Sequence, residues 1–120
     1  MNKKILIVED SKSYLFIISQ TLRDEGFMVA TAENGKKGLE AIKDSKPDLI
    51  LCDITMPEMN GLEMSAEVKK LYPDIPIIFL TNMSDEKNIS KGMENAVDYV
   101  VKADVSVEDI VKRVKEKLAS

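Results

Sequence analysis

The sequence predicts one α/β domain with a doubly wound parallel sheet, and three observations carry that reading. Short apolar runs recur along all 120 residues, continuous rather than alternating, as strands covered on both faces require. Helical patterns with their own start and stop signals separate them. Polar residues close the four strongest runs, which places the chemistry-bearing side chains at strand ends. Five strands each followed by a helix, (βα)5, pack as a five-stranded sheet with right-handed crossovers.

The first strand is expected over 5–8 and closes on Glu9 and Asp10. The first helix is expected over about 13–25, stopped by Gly26, with a core stripe of Tyr14, Ile17, Ile18, Thr21 and Leu22. Phe16 then points nearly opposite, with Leu15 at the margin, and is a candidate docking point for a partner helix. The second strand, 29–32, is the weakest, and its helix starts at Asn34 and ends before Pro47. The third strand, 49–52, closes on Asp53, and the helix after it follows Gly61 and ends before Pro73. The fourth strand, 77–80, closes on Thr81; the helix expected over 85–95 is weakly apolar, carries Gly92 and is the least stable. The fifth strand, 99–101, closes on Lys102. The last helix is the clearest, because Val107, Ile110, Val111, Val114 and Leu118 share one face and Ser106 with Asp109 forms a capping-box signal.

Composition narrows the chemistry. The chain is 44% hydrophobic and 32% charged, enough for a core, and is read as one domain over 1–120. Its net charge of −4 gives no broad attraction to nucleic acid or anionic lipid. Apolar runs too short to span a bilayer, and a start without a signal peptide's long apolar region, lead to a cytoplasmic expectation with no membrane partner. Cys52 is the single cysteine and is read as core packing, so no internal disulfide forms. With no histidine, a Ser-His-Asp triad and histidine-ligated zinc are excluded.

Adjacent carboxylates at Glu9 and Asp10 repel by roughly 1–4 kcal/mol at contact, depending on the dielectric, so something must compensate. In open α/β sheets ligands bind beyond the carboxyl ends of the strands, at the switch point of strand order. If the order is 2-1-3-4-5, Glu9, Asp10, Asp53, Thr81 and Lys102 converge there. Mg²⁺ prefers such oxygen ligands and is commonly held by one or two carboxylates plus a phosphate. Lys102 offers a point charge and Thr81 a hydroxyl to phosphoryl oxygens, while Asp53 is a plausible nucleophile for an aspartyl-phosphate. Any one acid at a strand end is ordinarily a solvated loop residue or helix cap. Five matching strand ends favour a shared pocket.

Taken together, the acidic pair in IVED, Asp53 in LILCDITMPEMNG, Thr81 in IIFLTN, and Tyr99 with Lys102 in DYVVK resemble the receiver domain of two-component response regulators over essentially the whole chain. The resemblance implies the flavodoxin-like order 2-1-3-4-5. It implies that Asp53 accepts a phosphoryl group from a phosphohistidine on a sensor kinase or histidine phosphotransfer protein, which supplies the histidine this chain lacks. It further implies that Asp10, Asp53 and the Thr55 backbone carbonyl ligate Mg²⁺, Glu9 reaching the metal mainly through water, while Thr81 and Lys102 hold phosphoryl oxygens. Thr81 and Tyr99 are then the switch residues that remodel the surface of the fourth helix, fifth strand and last helix for a downstream protein target. The only enzymatic chemistry implied is Mg²⁺-dependent self-phosphorylation and autodephosphorylation, not conventional turnover.

Two positions depart from the receiver pattern. Ala103 follows Lys102 where receivers usually carry proline, often cis, and a cis bond before a non-proline costs about 2.5–4 kcal/mol, so that peptide is either strained or trans. Asn82 stands where a small residue is usual; it and Thr55 are candidates for tuning dephosphorylation. Among competing readings, an FMN binder is disfavoured because EDSKS opens with two acids that repel phosphate. A haloacid-dehalogenase-like phosphatase needs a second aspartate where this chain has Thr55. A receiver-like module that is never phosphorylated, or a receiver fragment of a longer DNA-binding or enzymatic regulator, stands as the alternative to a stand-alone receiver.

Overall fold

The computed structural model describes residues 3–54, 59–81, 98–102 and 105–119. Its elements run β1 (Lys4–Val8), α1 (Lys12–Asp24), β2 (Met28–Ala32), α2 (Gly35–Ser45), β3 (Leu49–Asp53), α3 (Gly61–Leu71), β4 (Ile77–Thr81), β5 (Asp98–Val101) and α4 (Val107–Ala119). The helix expected over 85–95, together with Thr55, Asn82 and Ala103, lies outside the described residues. The five strands form one sheet in the order β2-β1-β3-β4-β5, and every neighbouring pair is parallel.

The continuity of the apolar runs has a direct structural cause. Side chains alternate faces along a strand, and each face of this sheet has its own core. Ile5, Ile7, Leu49, Leu51, Ile78, Leu80 and Val100 pack against Ile18 and Leu22 of α1 and Ile110, Val111 and Val114 of α4. Leu6, Val8, Ile50, Cys52, Ile77 and Phe79 pack on the other face against Ile42 of α2 and Met64 and Val68 of α3. With helices on both faces, the polar residues of the central strands can reach solvent only at the strand ends. No helix among the described residues is long and apolar enough to cross a membrane.

Short-range signals define the helix ends. At the end of α1, Gly26 has φ 95°, its N–H donates to the Arg23 carbonyl at 3.0 Å and the Phe27 N–H donates to the Leu22 carbonyl at 3.1 Å. Those two bonds form a Schellman cap, for which the left-handed glycine is the suited residue. Asn34 is the N-cap of α2 rather than its first residue. Ser106 and Asp109 exchange the expected capping bonds, each at 3.2 Å, at the start of α4. A second capping box, Asn60 with Glu63, starts α3.

Two expectations need correction. The buried stripe of α1 does not include Ile17, which is half exposed; the inward residues are Ile18, Ser19 and Leu22, with Tyr14 and Leu15 partly buried. At 100° per residue the stripe is centred one residue later than the apolar pattern suggested, because a small polar residue, Ser19, is tolerated against the core. The strands also extend further than their apolar runs, so that Asp53 and Thr81 are the last residues of β3 and β4 and not the first residues after them.

Gly61 is required by a close approach. A β-carbon there would lie 2.2 Å from the Asp53 carbonyl oxygen and 3.0 Å from Ile54 Cα, both backbone atoms that cannot swing aside. The Gly61 N–H donates to the Ile54 carbonyl at 2.8 Å, pinning the start of α3 to the end of β3. Gly61→Ala is therefore expected to destabilise the fold by about 1–3 kcal/mol and to displace the Asp53 backbone. Urea unfolding with amide NMR checks this; an unchanged midpoint and unshifted residue 53 would contradict it.

Candidate functional site

Strand register assembles the site. Val8 lies opposite Cys52, Asp53 opposite Leu80, and Thr81 opposite Val101. The next residues of β1 and β5, Glu9 and Lys102, therefore stand at the same edge of the sheet as Asp53 and Thr81. Residues 93 apart in sequence meet there, the Lys102 ammonium donating to Glu9 Oε2 at 2.6 Å. The same Nζ lies 3.6 Å from Asp53 Oδ2. Glu9, Asp53 and Thr81 are buried, Asp10 is exposed at the rim, and the Lys102 side chain is only 9% exposed.

Glu9, Asp10 and Asp53 each place one carboxylate oxygen within 4.8 Å of the others. Oxygen-only donors of this charge suit a hard divalent cation such as Mg²⁺. Asp53 Oδ1 is buried without a hydrogen-bond partner among the described residues, as a ligand atom awaiting a cation should be. Both Glu9 oxygens are engaged, Oε2 by Lys102 and Oε1 by the Ser11 N–H at 3.1 Å, which fits an indirect reach for Glu9. The donor set thus fits the ion.

The electrostatics match this crowding. Burial, reinforced by the charge of Glu9, pushes the Asp53 carboxyl from its ordinary 3.8 up to about 7 against the opposing pull of Lys102. Burial also raises the Cys52 thiol, and its side chain is fully enclosed, consistent with core packing and inert chemistry.

One contact escaped sequence reasoning. Tyr14, placed in the core stripe, is half buried and presents its ring face to Lys102, with Nζ 4.4 Å from the ring centroid. Helix periodicity identified the face but could not show which distant strand end lay above it. Phe16 is 67% exposed, as its position opposite the stripe implied. A cleft of about 300 Å³ is lined by Glu9, Asp10, Ser11, Tyr14, Ile17 and Lys102. Tyr99 is partly exposed on β5, bordering a shallow hollow with Val101, Val105 and Arg113.

Residues 5–115 match the family model for the response regulator receiver domain. The chain is 38% identical over 99 residues to the transcriptional regulatory protein ZraR of Klebsiella oxytoca, covering 82% of this chain and 22% of ZraR. It is 32% identical over 118 residues to the DNA-binding response regulator MtrA of Mycolicibacterium smegmatis, covering 98% of this chain and 51% of MtrA. The chain thus spans about half or less of these curated relatives. Among solved structures, a CheY-like receiver domain protein from Methanospirillum hungatei superposes with a TM-score of 0.94 at 32% identity, covering 99% of this chain and 95% of that one. The response regulator TrrA from Thermotoga maritima, solved with Mg²⁺ and BeF, superposes with a TM-score of 0.85 at 34% identity, covering 97% and 98%.

The raised Asp53 value has a testable sign. A carboxyl whose value is higher folded than unfolded stabilises the fold at low pH and loses that contribution as pH rises through about 7. In chelator, Asp53→Asn is expected to be more stable than the parent at pH 8, by about 1–3 kcal/mol, with the gap narrowing below pH 7 and closing near pH 4. Denaturant titrations across that pH range check this; a pH-independent gap would contradict it.

Proposed function

This chain belongs to the response regulator receiver domain family, and we propose that it is a phosphoryl-accepting switch with Asp53 as the acceptor. The observation that carries the reading is the meeting of Glu9, Asp10, Asp53 and Lys102 at one end of the sheet. An Asp53 carboxylate oxygen attacks the phosphorus of a partner's phosphohistidine, an oxygen–phosphorus bond forms, the nitrogen–phosphorus bond breaks, and the imidazole departs with the electron pair. Positioning and charge neutralisation supply most of the catalysis.

Asp10 and Asp53 would hold Mg²⁺ directly, with the Thr55 carbonyl as a further ligand by family pattern and Glu9 acting at one remove. When bound, the ion neutralises the acidic cluster and the developing charge on the phosphoryl oxygens. Lys102 takes one phosphoryl oxygen as a point charge and Thr81 donates its hydroxyl to another. Movement of Thr81 toward the phosphoryl group lets Tyr99 turn inward from its exposed position, and the face formed by β5 and α4 changes shape for a downstream protein. The exposed Phe16 and neighbouring Ile17 give the histidine-bearing partner an apolar foothold beside the pocket. A second reading, a receiver serving a DNA-binding output, is favoured by the MtrA match, in which a protein about twice this length is named for that activity.

Treatment with a small phosphodonor and Mg²⁺ is expected to add one phosphoryl mass to the parent and none to Asp53→Asn. An absent adduct on the parent would favour the inert interaction module. Thr55 and Asn82 set the adduct's lifetime in this account, so Asn82→Ala is expected to change its decay rate severalfold. A decay identical to the parent's would remove Asn82 from that role.

A further inference from the structure

We propose that Tyr14 is a positioning residue for Lys102, its ring face and the Glu9 carboxylate together aiming the ammonium at the pocket. The inference deepens the reading in which Lys102 holds a phosphoryl oxygen, and it rests on that reading. Lysine is a flexible side chain carrying a point charge, so one ion pair leaves it free to pivot about its partner. Here the ammonium is fixed from three sides, 2.6 Å from Glu9 Oε2, 3.6 Å from Asp53 Oδ2 and 4.4 Å from the Tyr14 ring centroid. The Lys102 side chain is 9% exposed, and a largely desolvated cation is where an aromatic face attracts most strongly.

Tyr14 is itself well held. Its backbone N–H donates to the Ser11 N-cap hydroxyl at 3.5 Å, and its ring packs on the core cluster shared by α1 and α4. Burial, with the charges of Glu9 and Asp53, pushes its phenol up to about 12, so the ring stays neutral and meets the lysine through its π face rather than as a phenolate. A ring face attracts a cation anywhere within about 6 Å of its centroid, so the contact survives small displacements of the ammonium. Lys102 can therefore shift from Glu9 toward a phosphoryl group on Asp53 without leaving the ring. Ala103 follows Lys102, so no proline constrains the backbone after it, and these side-chain contacts acquire the aiming role.

The test uses the full chain. Protons held over an aromatic face are shielded, so in ¹H–¹³C NMR the Lys102 ε-protons are expected upfield of the other lysines, retained in Tyr14→Phe and lost in Tyr14→Leu. With a small phosphodonor and Mg²⁺, Tyr14→Leu is expected to form the Asp53 adduct roughly fivefold more slowly, and Tyr14→Phe to restore the rate. Unshifted Lys102 protons in the parent, or Tyr14→Leu reacting at the parental rate, would overturn the proposal. Should Tyr14→Leu fail to fold, the parent and Tyr14→Phe shifts decide alone. A parent that shows the shift but takes no phosphoryl group would leave the contact established and sink the functional reading beneath it, so the two failures are distinct.

Discussion

Glu9 and Asp53 are both buried at the carboxyl edge of the sheet, and the Lys102 ammonium lies between them, close enough to bond one and attract the other. Removing the Lys102 ammonium would leave two buried carboxylates without their counter-charge, which costs several kcal/mol. The strands carrying these residues must consequently end at the same level, and the parallel register of β1, β3, β4 and β5 achieves that. The two apolar cores hold the register, since a slip of one residue would turn every core side chain to the opposite face. Gly61 brings α3 hard against the Asp53 backbone and fixes the last degree of freedom at that edge.

The balance is incomplete, and the proposed function rests on that imbalance. Three carboxylates face one ammonium, Asp53 Oδ1 has no partner among the described residues, and the Asp53 carboxyl is pushed up to about 7. A fold selected for stability alone would have little use for this crowding, whereas a divalent cation would relieve it. In the proposed switch the same few atoms connect chemistry to output. Lys102 and Thr81 stand beside Asp53 at the ends of β5 and β4, and Tyr99 lies three residues before Lys102 on the exposed edge strand.

Much of this was readable in the residues, for physical reasons that differ by element. Continuous runs such as Leu49 to Cys52 announced strands buried on both faces, and the Ser106 and Asp109 pair announced the start of α4. The strand order came from family resemblance, because nothing in spacing says which parallel strands are neighbours. Asp53 and Thr81 read as residues beyond their strands, since a polar side chain ends an apolar run even where the backbone ladder continues. Ile17 was drawn into the core by its place in the apolar helical pattern, although Ser19 faces inward instead. The Tyr14 contact with Lys102 was hidden for a stronger reason: it joins α1 to β5, and sequence periodicity is silent on contacts between elements so far apart.

The central claim is that these strand ends form one magnesium-binding centre. Amide NMR of the full chain during a Mg²⁺ titration addresses it most directly. The account predicts saturable shifts concentrated at Glu9, Asp10, Ser11, Asp53, Thr81 and Lys102, following a single binding curve. Weak, unsaturated shifts spread over the acidic surface, with those residues unmoved, would contradict it.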